Sequence, residues 1–436
     1  MERTKQYIVQ IASLTLILLA GIMLTAGGSG PPPESPVDKY QRSWEHRALG
    51  IQRTLDLRAP LSRAVFLSTH NSYNSSEYTT AASYWDPNHN HTIYDQLRLD
   101  VRQLELDIHW YFSMQGWPWN WGKKPLLCHG QNNHVGCSTY DRHLKEGIKE
   151  INNWIRRSEN RNEVIMLYLE EHLDGHYSEA LNVIKAYLGD LIYRPVGSCQ
   201  GIPMNISKAD ILNSGKQILL ITNGCSGNEW SRWVFSGIAD RRGYPESNAE
   251  NFRSYPDCGS ARFSRDDYNN YMIRFYEDRT NLTAWFGGGS GKIYSGTMAQ
   301  MMQCGVGLAS MDKLTPTDGR LQAAVWSWHP GEPNNWGGNE DCAQQWGNGR
   351  WNDANCNNSY RFACRNGAGN WYVTNASGPW RLGDHYCSTE TNGQYRFAVP
   401  VNGHENRLLH DLKRARGASS VWLGVSDQAR EGAWTP

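Results

Sequence analysis

Between about residues 48 and 315, short apolar runs alternate with segments of helical periodicity, and no other feature limits the fold as tightly. The runs at 64–68, 101–108, 164–169, 217–222 and 305–311 have strand length, whereas 141–157 and 177–188 space their apolar residues as helices do. Strands separated by helices predict βα units around a parallel sheet, and a stretch this long suits a closed, irregular α/β barrel of the TIM type. From about residue 320 the texture changes to Gly, Asn, Trp and Cys, with few long apolar runs. Two domains are expected, because 436 residues exceed what one core usually holds. The barrel takes 48–319, and a smaller domain dominated by loops takes 320–436.

The first 30 residues bear on the compartment. Arg3 and Lys5 precede an apolar stretch from about Ile8 to Leu24, followed by Thr25-Ala26-Gly27-Gly28, the order of a secretory signal. Left uncleaved, the same stretch would serve as an anchor. Residues 31–47 open with Pro31-Pro32-Pro33 and read as a stiff spacer. All 10 cysteines lie beyond the leader, as expected of a secreted or extracytoplasmic protein with disulfides. The 43 basic and 43 acidic side chains cancel and no basic run stands out, so no nucleic-acid partner is expected. Aromatic content is weighted to 19 Trp and 22 Tyr against 9 Phe, residues suited to sugar stacking and membrane interfaces.

Four stretches lie at the C-terminal ends of expected strands: His70-Asn71-Ser72-Tyr73, Glu105-Leu106-Asp107, Cys128-His129-Gly130 and Glu170-Glu171-His172. In a βα barrel these ends share one face, where active sites are built. The period of two puts Glu105 and Asp107 on the same side of their strand. Two inward charges are costly unless a cation binds them. Asn71, Glu105, Asp107 and Glu170 offer only oxygen donors, which suit Ca²⁺ better than Zn²⁺.

These motifs resemble the X-type barrel of phosphoinositide-specific phospholipases C, over about residues 60–315. Asn71 after the first histidine, and carboxylates at the other metal positions, match the calcium-dependent branch. The resemblance implies a phosphoric diester hydrolase acting on phosphatidylinositol or a glycosylated inositol lipid. It further implies that Asn71, Glu105, Asp107 and Glu170 hold calcium and that Glu105 takes the proton of an inositol 2-hydroxyl. His70 then stabilises the charged phosphorane, and His129 protonates the departing alcohol. Members that cleave polyphosphoinositides carry lysines where this chain has Thr222, Asn223 and Gly224, which argues against multiply phosphorylated headgroups. The Trp-rich insertion Gly116-Trp117-Pro118-Trp119-Asn120-Trp121 reads equally as a buried aromatic cluster or as a rim for a membrane surface or a sugar.

Farther along, Glu332-Pro333-Asn334 is followed by Glu340-Asp341-Cys342, Trp351-Asn352-Asp353, Cys356 and Cys364. The pattern resembles the calcium and sugar site of mannose-type C-type lectins. It implies that Glu332, Asn334, Glu340, Asn352 and Asp353 hold a second calcium with a mannose-type glycan. The parts that normally precede this site come after it here, among them Cys387 and Trp422-Leu423-Gly424. A circularly permuted lectin domain is therefore expected, with disulfides Cys342–Cys356 and Cys364–Cys387. Cys128–Cys137 would close a loop beside His129, while the pairing of Cys199, Cys225, Cys258 and Cys304 stays open. Two rival readings remain: an adhesin with a silent barrel, and a glycerophosphodiester or sphingomyelinase-D-like phosphodiesterase.

Overall fold

The structure, a computed structural model, describes residues 33–78, 84–130, 132–281 and 291–436. The expected leader lies outside them. Among the described residues no helix is long and apolar enough to cross a membrane.

The first module is a TIM-like α/β barrel. Its strands are β1 (Phe66–Thr69), β2 (Gln103–Ser113), β3 (Gly122–Leu127), β4 (Ile165–His172), β5 (Ile192–Tyr193) and β6 (Ile218–Ile221), then the ribbon β7 (Gly237–Ile238) and β8 (Arg241–Arg242), and β9 (Glu246–Asn248), β10 (Arg274–Tyr276) and β11 (Leu308–Met311). The sheet order is β5-β6-β4-β2-β1-β11-β10-β9, parallel throughout except for the hairpin β2–β3. Beyond β6 irregular chain runs back along that strand, with Phe235 N–H donating to the Leu220 carbonyl and Thr222 N–H to that of Phe235, both at 2.9 Å.

Strand alternation explains the layering. Leu104, Leu106 and Ile108 pack outward with Ile148, Ile151 and Leu181 of the helices Leu144–Ile155 and Tyr177–Leu188. Phe66, Met166, Tyr168 and Leu219 form a separate apolar cluster with Leu308. The segment expected to be a spacer is folded from residue 35 onward, contrary to the sequence reading. Ser35 caps a short helix, Pro36–Tyr40, whose Val37 and Tyr40 are buried. Pro36 takes the first position of that helix, where its missing N–H is no loss.

The second module holds β12 (Cys342–Gln345), β13 (Trp351–Ala354), β14 (Arg361–Arg365), β15 (Trp371–Val373), β16 (Arg396–Phe397) and β17 (Val421–Ser426). They form one sheet, β13-β12-β17-β14-β15, with β16 on β14. The late strand β17 lies between two early ones, antiparallel to β12 and parallel to β14. Helices Gly383–Glu390 and Gly403–Ala415 cover it, so the domain is less loop-dominated than expected. Strands of two to six residues are too short to register as apolar runs. All five disulfides form: Cys128–Cys137, Cys342–Cys356 and Cys364–Cys387 as expected, with Cys199–Cys225 and Cys258–Cys304 completing the set.

The modules meet at the end of the barrel where its strands begin. The helix Trp44–Leu55 makes one set of contacts. Its Gln52 Oε1 accepts from the backbone N–H groups of Trp326 (2.9 Å) and Ser327 (3.2 Å), and its Trp44 indole donates to the Glu332 carbonyl at 2.5 Å. Arg63, just before β1, pairs with Glu405 at 2.8 Å. Gly403 approaches so closely that a Cβ there would stand 2.3 Å from the Met302 carbonyl oxygen.

Candidate active site

At the opposite, C-terminal mouth of the barrel, the register of β2 on β4 sets Asp107 beside Glu170. Glu105 precedes Asp107 by one strand repeat on the same face, and the carboxylate oxygens of all three lie within 4.8 Å of one another. The Tyr73 hydroxyl donates to Asp107 Oδ2 at 2.8 Å, leaving Oδ1 buried and unpartnered. Burial, then Glu170 and Glu105, push the Asp107 carboxyl well above its ordinary range. Glu105 stays below its own range: burial opposes ionisation, but Arg274 and His70 outweigh it. Arg274 grips Glu105 with both guanidinium ends, one of them at 3.2 Å.

Asn71 takes a left-handed conformation (φ 47°) at the end of β1 and donates its N–H to Glu105 Oε2 at 3.0 Å. Its side-chain amide nitrogen is buried without a partner. His70 stands between Glu105 (4.0 Å) and Asp312 (3.5 Å). Burial alone would lower its pKa, but those two carboxylates raise it to about 10. The hairpin β2–β3 and the Cys128–Cys137 bridge bring His129 to the solvent side of the same mouth. Desolvation by the surrounding walls, then the charge of His70, hold its pKa below the ordinary value. Hard oxygen donors around a buried, unpartnered carboxylate oxygen fit a calcium ion at Asn71, Glu105, Asp107 and Glu170.

The Trp-rich insertion is not buried. Trp117 and Trp119 stack with centroids 5.2 Å apart at the tip of the hairpin and are 67% and 76% exposed. Trp117, Trp119 and Trp121 alternate in sequence, but Pro118–Asn120 form a short 3-10 turn and not a strand, so the alternation presents no face to a core.

In the second module the peptide Glu332–Pro333 is cis. Asp353 accepts the N–H groups of Asn334 (3.1 Å) and Asn335 (2.6 Å), and Glu340 accepts that of Trp336 at 2.9 Å. Glu332 Oε2 is buried and unpartnered. Burial and the adjoining Asp353 push the Glu332 carboxyl up to about 7. Asn352 lies on β13 next to Asp353, and Trp336 is 78% exposed. No basic side chain is bonded to these carboxylates among the described residues, and the oxygen donors again fit calcium.

Residues 34–318 match the family described as the Rv2075c PI-PLC-like domain. The chain belongs to that family. Residues 292–366 match the C-type lectin domain, so the second module is of C-type lectin kind. The chain is 33% identical over 409 residues to the uncharacterized protein Rv2075c of Mycobacterium tuberculosis, covering 88% of this chain and 80% of that one. Over 37 residues it is 51% identical to a hepatic lectin of Gallus gallus, covering 8% of this chain and 18% of that one. Among solved structures it is similar to the phosphatidylinositol-specific phospholipase C from Listeria monocytogenes, at 14% identity, 62% and 94% coverage and a TM-score of 0.39.

Within this Rv2075c PI-PLC-like barrel, all the barrel residues singled out from sequence gather at one mouth. Arg274 and Asp312 join them without having been anticipated, and Tyr73, part of the first motif, is tied in by its bond to Asp107. Asp312 was within reach, since it follows the run at 305–311 as His70 follows the run at 64–68. Arg274 sits on a three-residue strand that leaves no pattern.

Proposed function

We propose that this protein is an exported, calcium-dependent phosphoric diester hydrolase of the phospholipase C type. It cleaves phosphatidylinositol or a glycosylated inositol lipid at a membrane surface, tethered by a lectin module that takes mannose-type glycans. The observation that carries this reading is the meeting of His70 and His129 with three clustered carboxylates, of which Asp107 keeps a buried oxygen without a partner.

Calcium held by Asn71, Glu105, Asp107 and Glu170 would supply positive charge to the phosphate and to an ionising hydroxyl. The side chains do the rest. Glu105, kept ionised by Arg274, accepts the inositol 2-hydroxyl proton. His70, protonated between Glu105 and Asp312, donates to the phosphorane oxygens. His129 gives its proton to the departing alcohol and takes one from water when a cyclic phosphate opens. An unphosphorylated ring is favoured, because Thr222 donates to Glu171 and Asn223 to Tyr168 at the position of the expected lysines. The exposed Trp117–Trp119 pair supports contact with a lipid interface.

We read the lectin module as circularly permuted. The insertion of β17 between β12 and β14 supports this, as does a lectin match that ends at residue 366 while the sheet does not. Glu332, Asn334, Glu340, Asn352 and Asp353 hold its calcium, and its sugar completes the shell.

Phosphatidylinositol hydrolysis by the purified protein, with calcium or a chelator, tests the whole reading. Inositol phosphate release is expected only with calcium, and to fall about 10²–10⁴-fold in both His70→Ala and His129→Ala. Release of another headgroup would move the substrate to glycerophosphodiesters or sphingolipids. No release from a folded protein that still binds mannose would leave a lectin with a silent barrel.

A further inference from the structure

A groove of about 890 Å³ separates the two modules. Arg47 and Thr54 of the helix Trp44–Leu55, with Asn162, line it from the barrel side; Asn334, Asn335 and Arg430 line it from the lectin side. Asn334, one of the five residues of the lectin calcium position, also lines the groove, so the groove adjoins that position. Its volume lies near the upper end of the roughly 300–1,000 Å³ usual for ligand sites, more than one sugar ring fills.

The barrel wall is fixed relative to the sugar loop. The Trp44 indole bonds the carbonyl of Glu332 itself, and Gln52 bonds the chain at 324–327 through both ends of its amide. One turn beyond Trp44, Arg47 is exposed, and Thr54 follows two turns later. Arg47 and Arg430 have no ion-pair or side-chain hydrogen-bond partner among the described residues. A guanidinium carries five N–H donors and no acceptor, so each can take sugar hydroxyl or ring oxygens without breaking an internal bond.

We propose that this groove is a second subsite for glycans of two or more sugars, built jointly by the two modules. With a first sugar at the Asn334 calcium position, the next unit lies against the barrel helix and is held by Arg47 and Thr54. The chain would then discriminate oligosaccharides by means of its phospholipase-like half. This inference rests on the lectin reading of the calcium position.

Titration calorimetry on the whole protein, with calcium, tests it. Methyl α-mannoside and an α-linked mannotriose are the probes, and Arg47→Ala/Thr54→Ala is the variant. Both positions are exposed on a helix and alanine favours helix, so the fold should hold. The wild-type protein is expected to bind the trisaccharide about tenfold tighter than the monosaccharide, and the variant to lose most of that ratio while monosaccharide affinity stays unchanged. Equal affinities in the wild type, or a ratio that survives in the variant, would overturn the groove and leave the lectin site standing. Failure of both probes to bind would remove the lectin reading and the groove with it.

Discussion

The two acidic sites of this chain differ in where their counter-charge comes from. In the barrel, Glu105, Asp107 and Glu170 stand on neighbouring strands, and one guanidinium, Arg274, is built in against Glu105. In the lectin module, Glu332, Glu340 and Asp353 stand largely on loops, where backbone N–H groups meet Glu340 and Asp353 and, among the described residues, no basic side chain is bonded to any of the three. A strand-borne cluster with an internal cation keeps its shape when solvent ions are withdrawn. A loop-borne cluster without one depends on the ion for its shape as well as its function. Similar chemistry is therefore expected to report calcium differently in the two halves.

The sharpest way to break this comparison is to remove the internal cation. Arg274→Met leaves Glu105 buried beside two more carboxylates and is expected to cost about 3–5 kcal/mol in urea melts. Added calcium should restore part of that loss in the variant, and much less should be gained by the wild type. Next in size is calcium withdrawal. At a free concentration 100 times its dissociation constant, bound calcium stabilises by about 2.7 kcal/mol. Chelation should remove that from the lectin module first, seen as faster proteolysis between residues 331 and 341 while the barrel resists. The smallest effect comes from another internally paired charge, Asp100. Burial would raise its pKa, but Arg53 and His46 hold it at about 2. A depressed carboxyl stabilises above its ordinary pKa and loses that contribution as pH falls, here between about pH 4 and 2, to the extent of about 2 kcal/mol. Asp100→Asn should flatten that part of the acid-denaturation curve.

What could be read from sequence follows strand length. His70, Asn71, Glu105, Asp107 and Glu170 adjoin or end apolar runs long enough to mark a strand, so their shared mouth was legible. Arg274 and Glu246 belong to three-residue strands with no such mark, and the guanidinium that balances the site was hidden with them. The helix Tyr177–Leu188 matches its expected bounds, because its apolar face repeats cleanly. The lectin sheet was visible through its motifs and cysteines and not through its strands. Cys199–Cys225 and Cys258–Cys304 depend on how distant segments pack, which no spacing encodes.

The lectin module is fastened where the barrel strands start, and the catalytic side chains gather where they stop. Asn162 lines the groove between the modules just before β4, and Glu170 lies near the end of that eight-residue strand. Such a strand spans about 26 Å. A short headgroup glycan on the lipid being cut cannot cover that distance around the barrel. On the proposed function, the sugar held and the lipid cleaved belong to different molecules, and the protein would bridge two layers of a surface. Its catalytic mouth would hang at a fixed stand-off below whatever coat of glycans it grips.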